Sequence, residues 1–117
     1  MIRTQGLTHL HLVVRDLDRS LGFYQRVFGL QELFRESSRD LITLNEDPDE
    51  AQLAGVNGGV NHFGFRLAQG TDLDVAIAEV EAAGGVLVKR GEHAPGVPFV
   101  YVRDPDGYLI ELLPKED

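Results

Sequence analysis

The stretch Phe99-Val-Tyr-Val-Arg-Asp-Pro-Asp-Gly-Tyr-Leu-Ile-Glu111 decides the fold of this chain. Two alternating apolar runs flank Asp104-Pro105-Asp106-Gly107. Pro105 presets φ for the second position of a type I turn, and Gly107 accepts the left-handed position that follows. A type I turn closed by a glycine bulge makes a hairpin in which Asp104 faces Tyr108. That register sets Tyr101 opposite Glu111 on one face of the sheet, with Cβ atoms about 5 Å apart. Glu111 therefore brings a carboxylate into an otherwise apolar strand, beside a phenol. A buried carboxylate without a partner is costly, so this one needs a cation or hydrogen-bond donors.

Upstream of the hairpin, Val86 to Arg90 reads as a strand and Gly91 to Gly96 as a loop. Val60 to Leu67 reads as a strand with Val60, His62, Gly64 and Arg66 on one face. A helix follows, capped by Thr71 or Asp72 and running through Ala83, with Leu73, Ile77 and Val80 on one stripe. The first half has the same plan. Leu7 to Val14 is a strand with His9, His11 and Val13 on one face. Asp16 caps a helix to about Phe28, with Leu17, Leu21, Tyr24 and Phe28 toward the sheet. Gln31 to Glu36 and Asp40 to Asn45 are weaker strands around Ser37-Ser38, and Ala51 to Val56 is read as a short strand. Asn57-Gly58-Gly59 breaks the pattern.

The two halves repeat. Each opens with a strand carrying a histidine, His9 or His62, and continues with Asp-Leu-Asp at a helix start, Asp16-Leu17-Asp18 or Asp72-Leu73-Asp74. The expected fold is α+β: one domain over residues 1–117, built from two βαβββ modules at about 7–57 and 58–117. Neither module can bury both faces of its sheet alone, so the two sheets combine.

Composition narrows the function. The formal charge of −8 argues against nucleic acid and anionic membranes, because phosphate contacts need clustered Lys and Arg. No run of about 18 apolar residues exists, so no membrane span is expected. The first residues lack an apolar signal region, which makes a cytoplasmic protein the default. With no cysteine, disulfides, thiolate zinc sites and a cysteine nucleophile are excluded. The duplication makes His9 and His62 equivalent, and Glu111 lies in the last strand of the second module. Two histidines and a carboxylate on converging faces form a facial triad for a divalent metal such as Fe(II), Mn(II), Ni(II), Co(II) or Zn(II). Read from spacing alone, the same residues also fit two satisfied core histidines and an exposed glutamate.

Three segments carry a resemblance: His9-Leu-His-Leu-Val-Val-Arg-Asp16-Leu with Ser20 and Phe23-Tyr24 before Phe28-Gly29-Leu30; Asn61-His62-Phe63; and Asp104-Pro-Asp-Gly-Tyr-Leu-Ile-Glu111. In these the chain resembles the vicinal oxygen chelate superfamily of glyoxalase I, methylmalonyl-CoA epimerase, fosfomycin-resistance enzymes, bleomycin-resistance proteins and extradiol dioxygenases. The likeness implies paired modules curled round a metal cleft and, in small members, a swapped homodimer. His9, His62 and Glu111 match the metal ligands. Tyr101 matches a tyrosine that contacts substrate in the fosfomycin and extradiol subfamilies. His11, two residues from His9, becomes an acid/base candidate, and Arg66 and Arg103 have the parity to hold a substrate carboxylate. One departure stands out: glyoxalase I has a further glutamate at the end of its first module, where this chain has Ala51-Gln-Leu-Ala-Gly-Val56. The resemblance implies a metal-dependent enzyme acting on a small substrate chelated through vicinal oxygens. It leans to extradiol-type dioxygenase chemistry with Fe(II), ahead of a glyoxalase-like lyase or isomerase and a fosfomycin-type transferase. A metal-free binding protein of the bleomycin-resistance type is the rival from another class. Gln52 and His93 are left open as participants, His93 being placed by preference on exposed surface.

Overall fold

The computed structural model describes residues 1–3, 9–32, 41–54, 56 and 60–114. Its elements run β1 (His9–Val14), α1 (Leu17–Phe28), β2 (Leu41–Glu46), a 3-10 helix (Glu50–Leu53), β3 (Phe63–Arg66), α2 (Leu73–Ala82), β4 (Val86–Ala94), β5 (Val97–Arg103) and β6 (Leu109–Leu113). The second half is a complete βαβββ unit, its four strands ordered β3-β6-β5-β4. β3 and β6 are parallel, and the other pairings are antiparallel. In the first half β1 pairs in parallel with β2. The strand read at Gln31–Glu36, its Ser37-Ser38 turn and the break at Asn57-Gly58-Gly59 fall wholly or largely outside the described residues.

Local chemistry explains the elements. The Asp16 carboxylate accepts from the Arg19 amide at the start of α1, and Asp72 accepts from the Asp74 and Val75 amides at the start of α2. The turn after β5 closes as its sequence requires: Asp104 N–H donates to Tyr108 O, and Gly107 N–H to Asp104 O, both at 3.0 Å. Tyr101 then lies directly opposite Glu111.

Three expectations need correction. Within Ala51 to Val56, the stretch read as a strand, the described residues 51–54 and 56 form none. The Asp47 carboxylate accepts from the Glu50 amide and the Asp47 carbonyl from the Ala51 amide, which winds the chain. Ala51 and Ala54 are the buried residues, a spacing of three rather than two. β4 continues four residues beyond Arg90 to Ala94. Pro95-Gly96 is a tight turn into β5, with Gly96 at φ 80, the position a type II turn reserves for glycine. The α1 stripe is shifted in part: Tyr24 is buried and Phe28 packs on the core as expected, but Ser20 and Phe23 are buried beside them and Leu17 is exposed. Ser20 and Tyr24 turn inward because their hydroxyls have acceptors there. Ser20 Oγ donates to Asp106 Oδ2 at 2.7 Å and Tyr24 Oη to Asp104 Oδ2 at 2.8 Å.

Those two bonds belong to a joint between the halves. Asp106 Oδ1 also accepts from the Arg15 amide and from Arg19 Nη2, each at 2.9 Å. Tyr108 Oη donates to Val13 O at 2.7 Å and accepts from Val13 N at 3.1 Å. The β5–β6 turn is thereby tied to β1 and α1. Beside it lies one apolar core, with Leu12, Val14, Phe23 and Tyr24 from the first half and Ile77, Val80, Val100, Val102, Ile110 and Leu112 from the second. Among the described residues no helix is long and apolar enough to cross a membrane.

Candidate metal centre

Strand alternation separates the core from the chemistry. Val100, Val102, Ile110 and Leu112 point into the core, so Tyr101 and Glu111 point to the other face. β3 brings Gly64 level with Glu111. A Cβ on residue 64 would stand 3.0 Å from the Glu111 carbonyl oxygen, so a glycine here lets β3 lie close against the glutamate. His62, two residues before Gly64, reaches the same face. Its Nε2 is 3.5 Å from Glu111 Oε1, and its ring meets Tyr101 edge-on with centroids 5.1 Å apart. Asn61 Oδ1 lies 2.8 Å from His62 Nδ1. With an ion bound, a proton held at Nδ1 would leave the Nε2 lone pair free for the metal.

The fourth member of the cluster is His93, whose Nε2 donates to Glu111 Oε2 at 2.6 Å. The loop expected over Gly91–Gly96 hid it, because Gly91 and Pro95-Gly96 both read as breakers. The usable signal was the Pro-Gly pair, which extends two strands as readily as it ends one. The first half contributes differently. His9 is exposed on β1, and His11 Nδ1 lies 2.7 Å from Thr43 Oγ1. A cavity of about 300 Å³ between the halves is lined by His11, Val13, His62 and Tyr108 among others, without Tyr101 or Glu111. Among the described residues of one chain, no three His, Asp or Glu side chains are grouped to hold a metal, so His9 does not join His62 and Glu111 there. Arg66 Nη1 donates to Pro114 O at 2.9 Å and Arg103 Nη1 to Gly107 O at 2.6 Å. Gln52 is exposed on the 3-10 helix.

The electrostatics centre on Glu111, whose side chain is only 12% exposed. Burial pushes its carboxyl up, but hydrogen bonds from His93 and Tyr101 and the charges of His93 and His62 outweigh this and hold it below the usual range. Burial, the Glu111 charge and the hydrogen bond to it push the Tyr101 hydroxyl up. Tyr101 therefore stays protonated near neutrality and acts as a donor. A depressed carboxyl contributes stability that is present above its unfolded value and lost as pH falls through the folded one. Metal-free protein is thus expected to lose part of its stability as pH falls through and below about 4.5. In Glu111→Gln that part of the slope should be missing. Urea unfolding of both proteins between pH 3 and 7 reads the difference; parallel profiles would contradict it.

His62 and Glu111 suit two adjacent ligands of one divalent ion. Ligand atoms about 2.1 Å from a shared ion, at tetrahedral or octahedral angles, stand roughly 3.0 to 3.4 Å apart. The observed 3.5 Å needs little adjustment.

A family model for the Glyoxalase/Bleomycin resistance protein/Dioxygenase superfamily matches residues 6–112. The chain belongs to that superfamily. Within the superfamily it is similar to the catechol-2,3-dioxygenase of Bacillus subtilis, 33% identical over 86% of this chain and 38% of the relative. The chain thus spans little more than a third of that protein. It is similar also to a probable lactoylglutathione lyase of Vibrio cholerae, 30% identical over 92% of this chain and 88% of the relative. Among solved structures it resembles the fosfomycin resistance protein FosX of Listeria monocytogenes, with a TM-score of 0.77 and 24% identity over 97% of this chain and 96% of that one. A mutant of FosX has been solved with Mn(II) and a dihydroxypropylphosphonic acid. The Bacillus and Vibrio relatives both carry the names of enzymes.

Proposed function

We propose that the protein is a divalent-metal enzyme of extradiol-dioxygenase type, acting on a small substrate that chelates the metal through vicinal oxygens. The observation that carries the reading is the pairing of His62 Nε2 with Glu111 Oε1 at 3.5 Å beside Tyr101, whose ring centroid is 5.1 Å from that of His62. His62 and Glu111 would supply two ligands, and His9 from a second copy of the chain the third, in a swapped homodimer. Imidazole and carboxylate donors accept most first-row divalent ions, and Fe(II) suits this chemistry best. The bound metal would supply Lewis acidity and an O2-binding position. Tyr101 would donate a hydrogen bond to a substrate oxygen as charge develops there. His11 is the acid/base candidate on the first-module side. Arg66 and Arg103 are proposed for a substrate carboxylate, and each would have to turn from the carbonyl it now serves.

A second reading, a glyoxalase-like lyase or isomerase, is favoured by length: the Vibrio relative is matched over 88% of its chain. Against it, no first-module carboxylate is placed with the cluster among the described residues. Metal analysis of untagged protein followed by reconstitution separates the readings. The Fe(II) protein is expected to open catechol rings with one O2 consumed per ring. Turnover of hemithioacetals by the Ni(II) or Zn(II) protein, with catechols untouched, would overturn the dioxygenase reading in favour of the second. Failure to bind any divalent ion would overturn both.

A further inference from the structure

We propose that His93 is a positioning residue that holds Glu111 Oε2, so that Oε1 alone faces His62 and the metal; the inference rests on the metal reading above. The two carboxylate oxygens have different partners. Oε1 looks toward His62 at 3.5 Å, and Oε2 accepts from His93 at 2.6 Å. A carboxylate with one oxygen held this way binds a metal through the other, in one orientation.

The backbone is shaped for the task. The β4–β5 register shifts between Glu92 and Ala94, which leaves His93 as the extra residue of a β-bulge. Bulges re-aim a side chain beside a site, and this one turns the imidazole across β5 toward β6. Phe99 keeps it there, stacked on the His93 ring with centroids 4.3 Å apart and planes 24° from parallel. The Phe99 ring in turn lies against Gly91, where a Cβ would come within 3.1 Å of its Cζ atom. Gly91, Phe99 and the bulge together fix the ring that fixes the carboxylate. His93 is 47% exposed in the side chain, so the core does not explain its orientation.

Co(II) binding to the full-length protein tests this, by competition titration and by the visible absorption of the bound ion. The proteins are wild type, Glu111→Ala, His93→Ala and His93→Gln. Glutamine offers an N–H donor at similar reach. Wild type is expected to bind Co(II) stoichiometrically and Glu111→Ala to lose it. His93→Ala should bind about 10- to 100-fold more weakly, with altered Co(II) bands as Oε2 turns to the metal. His93→Gln should recover most of the affinity and the wild-type bands. Wild-type affinity and bands in His93→Ala would overturn the positioning role and leave the metal reading intact. Loss in both His93 variants as complete as in Glu111→Ala would overturn it too, by making His93 a ligand or a folding residue. A wild type that binds no Co(II) would overturn the metal reading, and the inference with it.

Discussion

Replacing Asp104 by alanine is expected to destabilise the fold by about 3 to 5 kcal/mol. This aspartate is 3% exposed and saturated with donors. Its Oδ1 accepts from the amides of Asp106, Gly107 and Tyr108 at 3.0, 2.9 and 2.9 Å, and its Oδ2 from Tyr24 Oη at 2.8 Å. Alanine would strand the Tyr24 hydroxyl in the core and leave two of those amides without an acceptor, since only the Gly107 amide and, across the turn, the Asp104 amide have main-chain alternatives. Asparagine retains Oδ1, and its amide can donate to the tyrosine oxygen. Burial raises the Asp104 carboxyl despite the hydrogen bonds that lower it, so a neutral group suits the site. Asp104→Asn is therefore expected to cost no more than about 1 to 2 kcal/mol. Urea midpoints at unchanged slope measure both. An alanine variant within about 1 kcal/mol of wild type would show that the joint is dispensable.

The second large effect concerns His9, proposed above as the third ligand, and the chain that supplies it. His9→Ala and Glu111→Ala chains are each expected to lack metal and activity. Refolded together in equal amounts, they should recover about a quarter of the wild-type sites, by the statistics of a two-fold dimer. Half of the dimers are mixed, and each mixed dimer has one cleft with intact His9, His62 and Glu111 and one with both defects. If His9 served its own chain, every cleft would lack one ligand and the mixture would recover nothing. Metal per chain after desalting reads the outcome without any knowledge of the substrate.

What was legible in the sequence had local causes. The register of Tyr101 against Glu111 followed from four turn residues, and both helix starts followed from aspartate caps. The parity of His62 and Glu111 followed from strand alternation. What was not legible needed knowledge of distant partners. Asp104 and Asp106 read as turn formers, yet their side chains hold Tyr24, Ser20 and Arg19, 80 to 87 residues earlier. The Ser20–Asp106 bond also sets a polar side chain on the buried face of α1, which hydrophobic spacing does not pick out. The short 3-10 helix was missed because two buried alanines give little periodic signal. His93 was left open and placed by preference on exposed surface, because a bulge has no sequence signature of its own and a glycine four residues before a Pro-Gly pair looks like a loop.

The β5–β6 hairpin carries core residues on one face and the Glu111–Tyr101 pair on the other. Loop length and pairing set both faces at once, because a one-residue slip exchanges them. For a lineage of such proteins, insertions or deletions in this loop would be silent in neither folding nor chemistry. New activities must then arise by exchanging side chains at the cleft-facing alternate positions, while the intervening ones are inherited nearly unchanged. Drift in this hairpin is filtered position by position, and a laboratory library built on it would do best to vary the same half.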